Sequence, residues 1–311
     1  MAILWKTVCG IILLMALYVQ SSDRGLLVIP GLGRRDRLET VLWNLRLLEQ
    51  NGFRSGHVHW DCVVYIYAPR EDRSFWESPM QLLYDLCSVI EVPNQLVTQN
   101  LHMVQPPLLV YQYISVLLDD CKITRGFDLD GMVRVMAANN LTVASPMIMG
   151  ANKGGGQKFR NIMQTPAQPS TEGYISSFVE IFVWVMTLPA YTALWDLLLP
   201  AVNPYAWGYD FWYSGYAATH VRGHKMGIVS TMGVKHEQGD LLGRTDNADV
   251  KVKWNAVLAQ ERHYKMYKGV DLAYYRQHLD IANTSWNGAV KGLLPPCPEC
   301  WTRSAGSRPP I

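Results

Sequence analysis

The sequence predicts an α/β protein, a single domain with a central, mostly parallel, Rossmann-like sheet flanked by helices. Four short apolar runs resemble buried strands, and apolar residues at helical spacing lie between the first of them. The composition agrees, since 49% of 311 residues are hydrophobic, enough to fill a large core.

Leu26-Leu27-Val28-Ile29-Pro30 is a continuous apolar run closed by Pro-Gly, as in a strand covered on both faces. Over Arg37 to Gln50, Leu38, Val41, Leu42, Leu45 and Leu48 recur at helical spacing before Asn51-Gly52. A second strand is expected at Cys62 to Tyr67 and a third at Ser88 to Val92, with a helix over Phe75 to Leu86 between them. The fourth run, Tyr113 to Leu118, stops at Asp119-Asp120-Cys121, and the four strands are expected in the order 3-2-1-4. Cys62 and Cys87 would then lie at matching depth on neighbouring strands, placed equally well for a disulfide or as two buried thiols.

Gly126-Phe127-Asp128 reads as the cap of a helix over Leu129 to Ala138, followed by a strand at Thr142 to Ile148. Gly150 to Ser170 has loop composition. Beyond it, Phe178 to Met186 reads as a strand, and Ala190 to Leu199 and Gly208 to Thr219 as helices. Ile228-Val229 and Gly233-Val234 form a short strand region before His236, and Gln260 to Leu279 is a polar closing helix.

Residues 1–22 carry one lysine and an apolar run from Thr7 to Val19. At about 1.5 Å per residue the run spans roughly 20 Å, against roughly 30 Å of hydrocarbon, so it suits a cleaved signal peptide or a type II membrane anchor. Either sends the chain into the secretory pathway, the Golgi lumen if anchored, the exterior if cleaved. The sequons Asn140-Leu141-Thr142 and Asn283-Thr284-Ser285 are compatible with that route. So are five cysteines beyond Cys9, although Cys297-Pro298-Glu299-Cys300 fits a tail disulfide or free thiols better than zinc. Residues 291–311 have the composition of a disordered tail. Net charge is only +2, with Lys and Arg scattered, which argues against a nucleic-acid partner.

Carboxyl ends of strands are where open α/β sheets bind ligands, and paired carboxylates there can grip Mg²⁺ or Mn²⁺. Asp119 and Asp120 have that placement, although two adjacent aspartates also suit a solvated turn. Gly31-Leu32-Gly33 opens like a dinucleotide fingerprint but has Asp36 at the third glycine, which argues against a Rossmann dehydrogenase. Backbone groups at Pro30 and Gly31, with Arg34, Arg35 or Arg37, could still meet a nucleotide. Trp207, Tyr209 and Trp212 suit a core or the stacking of an acceptor sugar.

Further along come Val179-Glu180-Ile181, Ala190-Tyr191-Thr192-Ala193-Leu194-Trp195, Ala206-Trp207-Gly208-Tyr209-Asp210, Lys225-Met226-Gly227-Ile228-Val229 and Val234-Lys235-His236. In this order they resemble the glycosyltransferase-like family called domain of unknown function 707, over roughly residues 25 to 240. The family is similar to GT-A glycosyltransferases. The resemblance implies one GT-A-like domain over 23–290: a nucleotide half at 23–122, an acceptor half at 123–250 and a closing helix at 251–290. It implies a nucleotide-sugar donor and a glycan or glycoconjugate acceptor. It also implies Asp119 and Asp120 as metal ligands, Asp119 also on the nucleotide side, and His236 as a late ligand. Asp210 takes the place of the base in inverting enzymes of this fold, with Glu180 as the alternative. Cys121 departs from the pattern, because the family tends to have an acidic residue there. That departure favours the rival expectation, a catalytically silent lumenal nucleotide- or carbohydrate-binding protein. A hydrolase using Glu180 and Asp210 is a third reading, disfavoured by the fold.

Overall fold

A computed structural model describes residues 23–69, 71–78, 80–106, 110–149, 173–236, 247–277 and 284–285. The N-terminal apolar run, the 150–170 loop, Cys297, Cys300, the tail and Asn283 of the second sequon lie outside them. Among the described residues no helix is long and apolar enough to cross a membrane.

The chain opens with β1 (Asp23–Leu32), α1 (Arg35–Gln50) and β2 (Val58–Ile66). Two short helices, α2 (Arg73–Trp76) and α3 (Gln81–Leu86), lead into β3 (Ser88–Glu91), and α4 (Val97–Met103) leads into β4 (Tyr113–Leu117). Then follow β5 (Cys121–Ile123), α5 (Leu129–Asn139), β6 (Val143–Met149), β7 (Gly173–Ile175), β8 (Val183–Thr187), α6 (Leu188–Leu197) and α7 (Tyr209–His220). The long β9 (Met226–His236) precedes α8 (Asn247–His263), a π-helical turn at Tyr264–Lys268, α9 (Leu272–Gln277) and β10 (Thr284–Ser285).

Among the described residues ten strands join one sheet, ordered β10-β7-β9-β6-β8-β4-β1-β2-β3, with β5 attached to β9. The expected 3-2-1-4 arrangement is present. β1 to β4, β6 and β9 run the same way, and β8 runs against β4 and β6. Because β1 has β2 on one side and β4 on the other, the crevice beyond the carboxyl ends of β1 and β4 is the switch point where such sheets bind ligands.

β1 is buried from Gly25 to Leu32, which explains its unbroken apolar run. Leu27 and Ile29 pack with Leu38, Val41 and Leu45 of α1 and Met132 of α5. Leu26 and Val28 pack on the other face with Leu101 of α4, Leu194 of α6 and Trp212 and Tyr213 of α7. The Asp128 carboxylate caps α5, accepting from the amides of Asp130 and Gly131, as its sequence position suggests. Cys62 on β2 and Cys87 at the end of α3 are disulfide-bonded, their Cα atoms 4.4 Å apart.

Several expected elements need correction. The helix over 75–86 is two helices, because Asp72 caps one turn that ends at Glu77. β2 begins four residues early, since Val58 and Trp60 are buried and His59 and Asp61 only half-buried, an alternating pattern rather than an apolar run. The strand expected from Phe178 begins at Val183. The closing helix starts at Asn247 and breaks into the π turn. The two short strands before His236 are one: β9 pairs with β6 from Val143↔Met226 to Pro146↔Val229 and resumes at Met147↔Gly233. Ser230, Thr231 and Met232 are extra residues at that step, and Met232 rests on Gly131 of α5.

Candidate functional site

Leu117 ends β4, and Asp119 and Asp120 form the turn beyond it, at the edge of the switch-point crevice. The chain then reverses into β5, which pairs antiparallel with the end of β9 so that Cys121 faces His236 and Lys122 faces Lys235. Asn44, fully buried on α1, fixes this reversal: its amide donates to the Cys121 carbonyl at 2.7 Å and its oxygen accepts from the Ile123 amide at 3.0 Å. His236 Nε2–H donates to Asp120 Oδ2 at 3.0 Å. The imidazole stacks on Phe182, with centroids 4.1 Å apart. The Cys121 thiol is fully buried and lies 3.7 Å from Asp120 Oδ1.

The two aspartates titrate differently. Burial, then the neighbouring Asp120 charge, pushes Asp119 up to about 7 against the pull of Arg37. Burial also opposes ionisation of Asp120, but the His236 hydrogen bond and charge, helped by Arg37, outweigh it and hold that carboxyl below the usual range.

The structure sorts the three arginines. Arg34 reaches its own neighbour Asp36, at 2.9 and 3.1 Å, on the surface, and Arg35 is exposed. Arg37 is buried and acts on Asp119 and Asp120, and both Arg34 and Arg37 act on the Tyr67 hydroxyl. Tyr67, just past β2, lies against the loop after β1, where a Cβ on Gly33 would collide with its ring and one on Gly31 would crowd it. The Pro30 carbonyl accepts from the buried Asn100 amide of α4 at 2.7 Å, which fastens that helix to the end of β1.

Asp210 is the second residue of α7, behind Gly208 in the left-handed region at φ 89°. The loop before it is tied to α4, with the Ala206 amide donating to Thr98 Oγ1 at 2.8 Å and the Thr98 amide to the Pro204 carbonyl at 3.3 Å. α4 in turn holds Pro30 at the end of β1, so the start of α7 belongs to the carboxyl edge of the sheet. Asp210 is half-buried, and burial pushes its carboxyl up to about 7 against a hydrogen bond from the Phe211 amide. Phe211 stacks on Phe178, and Phe182 of the same segment stacks on His236. Glu180 lies midway along that segment, half-buried, its carbonyl accepting from Trp184 Nε1 at 2.6 Å. Trp212 is core, bonded to Glu261.

Asp120 and His236 are thus brought together with Asp119 beside them, whereas Asp210 lies next to Phe211, at the opposite end of residues 178–182 from the Phe182–His236 stack. Sequence reasoning missed Asn44, Tyr67 and Phe182. Asn44 had a signal, a polar residue on the apolar stripe between Val41 and Leu48. Tyr67 and Phe182 had none, since their partners lie on other strands.

Asp120, Cys121 and His236 could hold a metal ion, one ligand atom of each lying within 4.8 Å of the others. One oxygen, one sulfur and one nitrogen fit a divalent ion that accepts all three, and fit Mg²⁺, which prefers oxygen throughout, poorly. Asp119 stands beside this trio, toward Arg37 and Tyr67.

No family model and no curated protein matches the chain. Solved structures do. The crystal structure of TarS from S. aureus superposes with a TM-score of 0.50 at 10% identity, over 82% of this chain and 43% of that one. GalNAc-T7 with UDP, GalNAc and Mn²⁺ superposes at 0.48 and 12%, over 82% and 53%. TarS 1-349 in complex with UDP-GlcNAc superposes at 0.48 and 11%, over 81% and 71%. The chain spans about half the length of the first two. The TarS likeness shows the fold, a mostly parallel α/β sheet of the GT-A glycosyltransferase type.

Proposed function

We propose that the chain is a glycosyltransferase that moves a sugar from a nucleotide-sugar donor to a hydroxyl of a glycan or glycoconjugate. The observation that carries this reading is the joining of Asp120 to His236 beside Asp119, at the carboxyl-edge switch point of a GT-A sheet. Arg37 supplies positive charge for the diphosphate, and Tyr67 and the Gly31-Leu32-Gly33 backbone border the space for the nucleoside. A divalent cation held by Asp120 and His236 would offset charge on the departing diphosphate.

Asp210 is the proposed base. As the acceptor oxygen attacks the anomeric carbon and the bond to the diphosphate oxygen breaks, the hydroxyl proton passes to the Asp210 carboxylate. A carboxyl held near 7 suits that role at neutral pH. Direct displacement of this kind inverts the anomeric centre; Glu180, on the neighbouring segment, is the alternative base. The Cys62–Cys87 disulfide supports a secretory-pathway location.

The test is calorimetric titration of UDP- and GDP-sugars with and without divalent cation, followed by assay of nucleotide release against glycan acceptors. Binding of one donor series with acceptor-dependent release is expected. Absence of binding for every donor would overturn the reading.

A further inference from the structure

The geometry points to Cys121 as a metal ligand in its own right, making Asp120–Cys121–His236 a site for a thiophilic divalent cation such as Zn²⁺ or Co²⁺ rather than Mg²⁺ or Mn²⁺. This deepens the proposed function: it rests on Asp120 and His236 as ligands and adds the third ligand and the class of metal.

Three independent features bring the thiol there. Cys121 and His236 are directly opposed in an antiparallel pair, and opposed residues project from the same face of a sheet. Asn44 holds the backbone on the carboxyl side of the thiol, and the Cys121 amide donates to the Leu118 carbonyl at 3.1 Å on the other side, so Cys121 is not free to turn away. Asp120 bridges the other two, with Oδ2 3.0 Å from the imidazole and Oδ1 3.7 Å from the sulfur. Around a tetrahedral zinc, with bonds of about 2.0 Å to oxygen and nitrogen and about 2.3 Å to sulfur, ligand atoms stand roughly 3.3–3.6 Å apart. The trio, all within 4.8 Å, needs only small side-chain shifts to meet that spacing.

Ligand chemistry decides which ion. A thiolate is a soft donor that favours Zn²⁺ and Co²⁺, whereas Mg²⁺ and Mn²⁺ favour carboxylate and water. Binding exchanges the thiol proton, released to solvent, for the sulfur–metal bond. Three protein ligands leave the fourth tetrahedral position to water or to a phosphate oxygen. The Phe182 stack and the Asn44 clamp orient two of the three ligands before any ion arrives.

Zn²⁺ outbinds Mn²⁺ at most sites, so the affinity ratio alone does not discriminate. The experiment titrates the full, metal-stripped chain with Co²⁺ and follows absorption, without nucleotide. A thiolate-to-cobalt charge-transfer band with tetrahedral ligand-field bands is expected in the wild type. The band should vanish in Cys121→Ser, with Zn²⁺ affinity falling at least about tenfold. In Cys121→Asp, preference should move toward Mn²⁺. A band that persists in Cys121→Ser would assign the thiolate elsewhere, for instance to Cys297 and Cys300, and overturn the inference; so would Co²⁺ bound without such a band. Because no sugar donor is present, failure of the glycosyltransferase reading would leave this outcome untouched.

Discussion

His236 Nε2 lies 3.0 Å from Asp120 Oδ2, although 116 positions separate the two residues in the chain. The contact is built by backbone pairing, β5 turning back from β4 to lie against the end of β9. Asp120→Ala should therefore weaken donor binding only when the divalent cation is present. Asp210→Asn should leave donor binding nearly unchanged and remove turnover, because the amide keeps the shape but accepts no proton. Calorimetry and a nucleotide-release assay on both variants separate the two failures. Normal turnover by Asp210→Asn would move the base elsewhere, with Glu180 next in line.

The same variant should change stability in a pH-dependent way. The folded-state value of Asp210, about 7, is raised above its unfolded value near 3.8, so its protonated form favours the fold at low pH and that contribution is lost as pH rises through about 7. Asp210→Asn should gain most over wild type in urea melts at pH 8 and little at pH 4. Equal gains at both would contradict the buried carboxyl.

His224 should govern stability at mildly acidic pH. Burial lowers it from 6.5 to about 4, and its Nε2 has no hydrogen-bond partner, while Nδ1 lies 2.9 Å from Thr142 Oγ1. The unfolded chain binds this proton first, so stability should fall as pH drops from about 6.5 to about 4, by up to about 3 kcal/mol. His224→Gln should flatten that part of the profile of urea midpoints.

Cleaving Cys62–Cys87 releases a loop closed over a separation of 25 residues, for which chain entropy gives about 3.5 kcal/mol. Thermal melts with and without reductant should differ by several degrees, and Cys62→Ser with Cys87→Ser should match the reduced protein. Melting points unaffected by reductant would show that the pair does not staple the fold.

Gly33 allows the Tyr67 ring to lie against the loop after β1, so Gly33→Ala should cost about 1–3 kcal/mol or displace that ring. Adding Tyr67→Ala should recover part of the melting temperature but not nucleotide affinity. Unchanged donor affinity in both variants would remove Tyr67 from the nucleoside space.

The first four strands were legible because strands of a parallel sheet covered on both faces are continuous apolar runs, and the acidic pair stood out because β4 stops abruptly at Asp119. Short and interrupted elements were not. The single turn capped by Asp72 ends at Glu77 and leaves a break before α3 that helical spacing alone hides. Ser230-Thr231 reads as a gap in what is one strand. At the site, chemistry was legible and placement was not. An aspartate pair shows itself by type, whereas Arg34, the extended residue before α1, and Arg37, inside its first turn, differ only in placement.

The three extra residues of β9 lie where a change in chain length need not alter the pairing that places His236. Ser230, Thr231 and Met232 stand outside the β6 ladder, and of these Met232 is core, so residues gained or lost at Ser230 and Thr231 can be absorbed while Gly233 stays opposite Met147. A single residue gained or lost between Gly233 and Lys235 has no such outlet. It would slide His236 one pairing along β5 and, with a period of two, turn the imidazole to the opposite face, away from Asp120. Length variation compatible with this site is therefore concentrated at Ser230 and Thr231, and the four residues from Gly233 to His236 form a segment whose length is fixed even where its composition is not.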